Sequence, residues 1–242
     1  MQFLLFTLYA PIGSFGEVAV GERRMSWARP GRSAVLGLVA AAQGTERTDE
    51  VAHQRLEDGL HYAVRTDAPG RPFIDYHTAQ TPKARRGRTF ATRREELESE
   101  ALNTVLSARE WRTDSFFTAA LWPRQGRTID LDDIAECFRH PRFVLYLGRK
   151  SAPLGLPLNP TMVEATTFVD AFNARQSNDA ERMVLRRSDD EKAHRTIACD
   201  HEAPGAPRTG RVERRRDSVA SRARWQFTER LEHVISTEHD ET

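Results

Sequence analysis

The chain has 242 residues, enough for one large domain or two small ones with a sizeable core. Its 39% hydrophobic and 29% charged residues, with a mean hydropathy of -0.61, describe a globular protein with a heavily charged surface and exclude a disordered tail standing alone. The net charge of +1 hides an asymmetry: of 36 basic residues only Lys83, Lys150 and Lys192 are lysines, so the positive charge sits on guanidinium groups, which bind phosphate bidentately and stack on bases. Genome composition is an equal source of such an arginine bias, because arginines are scattered as well as clustered.

Residues 2–9 form an apolar run stopped by Ala10-Pro11 and the glycines Gly13 and Gly16, which reads as a central strand entering a loop. No basic residue precedes it and the run is short, so it reads better as a buried strand than as a signal peptide. Ser33 is placed to cap a helix over 34–42 that ends near Gly44, and a second, amphipathic helix is predicted over 49–57. Strands follow at 61–65 and 73–78. Residues 79–108 hold few large apolar side chains. They carry six basic residues and no acidic one from Thr81 to Arg94, followed at once by Glu95, Glu96, Glu98 and Glu100, so this stretch reads as an excursion from the core. A strand is predicted at 116–122, and Asp130 caps a helix over 131–138. Beyond Pro153 the pattern weakens to a helix within 161–173, strands at 182–187 and 195–200, an exposed loop at 203–207 and a last strand within 222–235. The order β-α-β, excursion, β-α-β suits an α+β fold with a ferredoxin-like sheet and helices on one face.

Cys137 and Cys199 are far apart and belong to no CxxC pair, so neither a zinc site nor a disulfide framework is indicated and a reducing, cytoplasmic setting is the default. No apolar run approaches the roughly 20 residues that cross a bilayer, so no membrane partner is expected. Walker, GxGxxG, HExxH and GxSxG signatures are absent, and no metal or other cofactor is expected. Gly13-Ser14-Phe15-Gly16 has GxxG spacing, which two glycines alone leave weak.

The remaining chemistry points to RNA. The amides at the start of the Ser33 helix, with Arg29 and Arg32 before it, would favour a phosphate. Tyr76 and His77 supply a ring and polar groups ahead of the basic run of Lys83, Arg85, Arg86 and Arg88, and Arg109 follows the excursion. Tyr146 precedes Gly148-Arg149-Lys150-Ser151, where a flexible glycine, two cations and a hydroxyl could wrap a sugar-phosphate turn. A second basic run, seven arginines against Glu213 and Asp217, occupies 207–224. Each feature alone is equally a cap, a strand end or a solvated face; together they favour binding. The competing reading is a metal-independent ribonuclease using Tyr76, His77 and Lys83 as base, acid and phosphorane partner. A generic RNA-binding module is a third.

At these residues the chain resembles the CasD family, the fifth Cas family, of type I-E CRISPR Cascade complexes, within the RAMP superfamily. The similarity lies in 10–16 with Phe15 in place of tryptophan, in the Ser-x-x-x-Gly-Leu-x-x-Ala pattern of 33–41, in 75–78, in 109–121 with Trp111 in place of tyrosine, and above all in 146–154, where Ala152 replaces a cysteine. Arg216-Asp217 and 224–230 add to it, while 160–209 match poorly. The resemblance implies a ferredoxin-like (RRM-like) RAMP palm formed by 1–78 and 113–242, with a protruding β-hairpin thumb at 79–112. It further implies a non-catalytic subunit that holds the 5′ handle of the CRISPR RNA, contacts the Cascade backbone subunit and large subunit, and lies near target DNA at the guide-target duplex, in antiviral defence. In related type I-C systems a member of this family cuts the precursor RNA, which keeps the ribonuclease alternative open.

Overall fold

In the computed structural model, residues 1–16, 19, 21–83, 89–98, 102–187, 195–206 and 209–237 are described; Arg85, Arg86 and Arg88 lie outside them. The first strand, β1 (Gln2–Gly13), is buried on both sides: Leu4, Phe6 and Leu8 face one core, Phe3 and Leu5 the other. A strand covered on both faces needs no polar alternation, hence its unbroken apolar run.

Three short strands follow, β2 (Phe15–Gly16), β3 (Arg23–Arg24) and β4 (Ser26–Trp27), then helices α1 (Arg32–Gln43) and α2 (Glu50–Gly59). Next come β5 (Leu60–Ala68), β6 (Arg71–Pro82), the short α3 (Arg93–Leu97) and the long β7 (Leu102–Pro123). The chain continues through α4 (Leu131–Arg139), β8 (Thr161–Glu164), α5 (Phe168–Ala174), α6 (Asp179–Arg187), β9 (Arg195–Asp200), β10 (Arg211–Ser221) and β11 (Gln226–Thr237). The main sheet runs β10-β11-β9-β5-β7-β1-β8, with β3 and β6 also joined to β7 and β3–β7 the parallel pairing.

Helices α1, α2 and α4 pack on one face over Leu4, Phe6, Leu8, Tyr62, Val64 and Phe117. Helix α5 covers the opposite face, where Phe168 stacks on Trp122 at 5.4 Å between ring centres. The expectation of helices on one face therefore holds for the first three and is corrected for α5.

Strand β7 has two roles. Residues Phe116–Pro123 lie between β1 and β5, whereas Leu102–Thr113 pair with β6 from Pro82↔Leu102 to Arg71↔Thr113, forming a ribbon off the sheet. Asp114, at φ 54, marks the junction. The β6–β7 pairing thus begins at Arg71, ahead of the excursion expected from Ala79, and at its base β1 and β3 also pair with β7.

Other expectations are corrected by local capping and edge pairing. Helix α1 begins after Gly31, which makes no side-chain cap bond, so Ser33 is an ordinary helical residue. Asp130 caps α4 as expected, accepting from the Asp133 amide, and Asp49, expected as the first residue of its helix, caps α2 by accepting from the Ala52 amide. Residues expected as one helix at 161–173 divide, because β8 pairs with the edge of β1 and Thr167 and Asp170 form a capping box that starts α5. Residues 182–187, expected as a strand, are helical: Asn178 accepts from the Glu181 amide, and Glu181 is buried against Arg175 and Thr7. The basic run at 207–224 contains β10, where Arg215 is buried between the exposed Arg214 and Arg216. In the loop at 203–207, Ala203 is buried, not exposed, and Pro207 lies outside the described residues. Among the described residues no helix is long and apolar enough to cross a membrane.

Candidate nucleic-acid interface

Three segments distant in sequence meet where the β6–β7 ribbon leaves the sheet. The turn after Tyr146 is closed by a bridge between Tyr146 and Pro153 and by the Ala152 amide donating to the Arg149 carbonyl at 2.8 Å. It docks on the loop after β1: the Ser14 amide donates to the Leu147 carbonyl at 3.2 Å, and Ser14 Oγ donates to the Glu110 carbonyl of β7, also at 3.2 Å. Gly148 permits this closeness. Its φ is +86°, and a β-carbon there would stand 1.5 Å from the Ser14 carbonyl oxygen.

The turn delivers Arg149 to the ribbon, where its guanidinium lies 4.3 Å from the ring centre of Trp111. Its Nη2 donates to the Arg24 carbonyl at 3.4 Å, and β3 in turn pairs with Ala108 and Arg109 of β7. Side chains alternate along a strand, so Ser107, Arg109 and Trp111 share one ribbon face with His77, Asp75 and Phe73, their respective register partners. Asp75 is hydrogen-bonded to His77. Burial lowers the Arg149 pKa from its ordinary value, Arg109 and Arg24 push it further down, and Asp75 opposes them. Among the described residues no acceptor reaches the buried Arg149 Nη1. The Arg149 guanidinium is thus held over an aromatic ring where it feels the like charges of Arg109 and Arg24, an arrangement that an incoming polyanion relieves.

The residues expected from sequence fall into three groups. Arg109, Tyr146, Arg149, Lys150 and Ser151 meet at or beside this cluster, with Arg109, Lys150 and Ser151 exposed. Tyr76 and His77 belong to the ribbon and are exposed, but as neighbours in a strand they point to opposite faces. Lys83 lies roughly 20 Å along the chain from His77 at strand rise. Tyr76, His77 and Lys83 therefore have no common focus, as a concerted acid-base set requires.

Arg29, Arg32 and Ser33 stand elsewhere, and the phosphate site expected at the helix start is corrected. Arg29 is 6% exposed and Arg32 2%. Arg29 is paired with Glu213 and Glu232, and Arg32 with Glu57 at 2.7 Å and Asp200 at 2.8 Å. The start of α1 is itself occupied by a carboxylate, since a β-carbon at Gly31 would lie 2.0 Å from Asp217 Oδ2. An internal anion holds the position proposed for an external one. Ser33 is half-buried, and its carbonyl accepts from Arg222 at 2.6 Å.

Sequence reasoning missed the roles of Trp111 and Arg24. Trp111 stood out only as a departure from a family tyrosine, and Arg24 carried no signal, because β3 is two residues long and its pairing is nonlocal.

The family model described as "CRISPR-associated protein (Cas_Cas5)" matches residues 3–231. The chain is 30% identical over 158 residues, 65% of its own length and 69% of the relative's, to the "CRISPR system Cascade subunit CasD" of Escherichia coli (strain K12). Its fold is similar to a chain of a solved "CRISPR RNA-guided surveillance complex", with a TM-score of 0.64 and 24% identity over 98% of this chain and 90% of that one. It is also similar to a solved "Cas protein", with a TM-score of 0.59 and 22% identity over 97% of this chain and 94% of that one. With the family model spanning both main cores, the ribbon and the turn at Gly148, the chain belongs to the Cas5 family of CRISPR-associated proteins.

Proposed function

We propose that the chain is a non-catalytic subunit of a type I-E Cascade complex and holds the 5′ handle of the CRISPR RNA at the base of the β6–β7 ribbon. The observation that carries this reading is the Arg149 guanidinium seated over Trp111, on the ribbon face that also carries Arg109 and beside the short β3 strand of Arg24. Guanidinium groups neutralise phosphates, and an aromatic flank accepts a splayed base, which is the chemistry of single-stranded RNA recognition. The name of the Escherichia coli relative supports the assignment to Cascade.

The strand order β5-β7-β1-β8, with α1 and α4 on one face, supports a ferredoxin-like RAMP palm, and the ribbon is suited to act as its thumb. Ribbon side chains exposed on both faces, Phe73 on one and Ile74 and Tyr76 on the other, would meet the backbone and large subunits and the nearby target DNA. Binding without cutting is favoured by the dispersal of Tyr76, His77 and Lys83.

Co-expression with the neighbouring genes, purification through this chain and sequencing of the bound RNA tests the reading, which requires one repeat-derived 5′ sequence to dominate. Random cellular RNA would overturn it. Incubation of the purified chain with repeat RNA in EDTA tests the non-catalytic part: the RNA stays whole, and specific cleavage lost in His77→Ala would establish the nuclease instead.

A further inference from the structure

The basic run at 207–224 ends in the turn between β10 and β11, which carries Trp225. This is the most exposed of the four tryptophans, at 58%. Its backbone is left-handed at φ 57, a conformation usual for glycine or asparagine and costly for a bulky residue. The turn is closed by the Trp225 amide donating to the Arg222 carbonyl at 3.3 Å and by the Arg224 amide donating to Ser221 Oγ at 3.1 Å. A large ring is thus held outward on a well-bonded turn.

Guanidinium groups surround that ring. Arg47, on the loop after α1, lies 4.7 Å from its centre, and Arg222 lies 5.7 Å from it and 5.6 Å from the centre of Phe227. Phe227 meets Trp225 edge to face at 5.5 Å. Arg222 is anchored from below, because its Nη2 donates to the Ser33 carbonyl and a β-carbon at Gly37 would stand 3.3 Å from the same nitrogen. The Ser33 and Gly37 pair in α1 therefore forms a seat for Arg222. Arg224 is exposed beside Trp225, and Arg214 and Arg216 are exposed along β10.

We infer that Trp225, with Arg47, Arg222 and Arg224, is a second nucleobase-stacking contact for single-stranded RNA, in addition to the ribbon-base site. The inference rests on the RNA-binding reading above. RNA is favoured as the occupant because the ring is flanked by cations, as stacking platforms for single strands are.

The test uses the full chain and a fluorescein-labelled, mixed-sequence single-stranded RNA of about 15 nucleotides, within the length range that such grooves engage. Trp225→Ala is expected to weaken binding about tenfold, and Trp225→Phe, which keeps a ring, to restore most of the affinity. Bound RNA is also expected to shield Trp225 from acrylamide quenching, read as the difference between the natural chain and Trp225→Phe. If Trp225→Ala does not fold, Arg47→Ala with Arg224→Ala, both exposed side chains, must lower the salt slope by roughly 0.7 for each phosphate no longer neutralised.

Affinity unchanged in Trp225→Ala but reduced in Arg149→Ala overturns the platform and leaves the ribbon-base site standing. Unchanged affinity in both defeats the RNA-binding reading itself. Unchanged RNA affinity with loss of a co-purifying subunit would make the platform a protein contact and also overturns the inference.

Discussion

Arg149 lies over Trp111 with its guanidinium 4.3 Å from the ring centre, although the two come from a turn and a strand that touch only because Gly148 lets the turn approach Ser14. This pair couples the turn at Gly148 to the ribbon. It orients a cation that its neighbours Arg109 and Arg24 would otherwise repel.

Removing the cation of that pair should be felt by RNA. Arg149→Ala is expected to weaken binding of repeat RNA and to reduce the slope of log affinity against log salt by roughly 0.7, the value for one phosphate left without its guanidinium. A double-mutant cycle with Trp111→Ala, read by thermal or urea unfolding of the free chain, should give a coupling of about 0.5–2 kcal/mol. Independent effects of the two substitutions would show that the stacking has no energetic content.

Gly148→Ala should be more damaging than its size suggests. The methyl group cannot coexist with the Ser14 carbonyl 1.5 Å away, and φ of +86° is unfavourable for alanine, so the turn must lift off the loop after β1. We expect a loss of about 2 kcal/mol or more in unfolding free energy, with RNA affinity falling at least as far as in Arg149→Ala. A variant with native stability and native affinity would contradict this role for the glycine.

Acid should unfold the protein through its internal carboxylates. Burial alone would raise the pKa of Glu232, but Arg230, Arg215 and Arg29 outweigh it and hold the group below the usual carboxylate range. Asp200 is likewise depressed: His61, Arg32, Arg230 and Arg124 overcome the effect of burial. A group depressed in the folded state contributes stability that is complete above its unfolded value, about pH 4, and is lost as pH falls through the folded value. The melting temperature should therefore depend little on these groups between pH 8 and 6 and drop below about pH 5. Glu232→Gln, which leaves Arg29, Arg215 and Arg230 facing a neutral amide, should cost about 3 kcal/mol or more at pH 7.

The cysteines offer a fourth check. Cys199 is fully buried, and burial, reinforced by Asp200 and Glu232, pushes its thiol up to about 12. The thiol of Cys137 is also raised, by burial first and then by Asp133. Thiolate is the reactive form, so at pH 8 a disulfide reagent should leave Cys199 unmodified until denaturant is added. Fast labelling of Cys199 in the folded chain would show that this face of the sheet opens readily.

Much of this protein was legible in local pattern. The two-sided burial of β1, the cap Asp130, and the turn at Gly148 depend on near neighbours and on residue types with strong backbone preferences, so the amino-acid order alone determined them. The order also revealed arginine runs, but not which arginines reach solvent. Tertiary structure decided that, because a guanidinium buried beside carboxylates from distant strands is identical in sequence to one waiting for a phosphate. Arg29 and Arg32 meet Glu232 and Asp200, more than 160 positions away, and become internal struts. Arg149 is set over Trp111 beside the ribbon face that carries Arg109, and becomes the candidate RNA contact. The difference lies in nonlocal strand pairing, which sets partners by register and leaves no local signal in the chain.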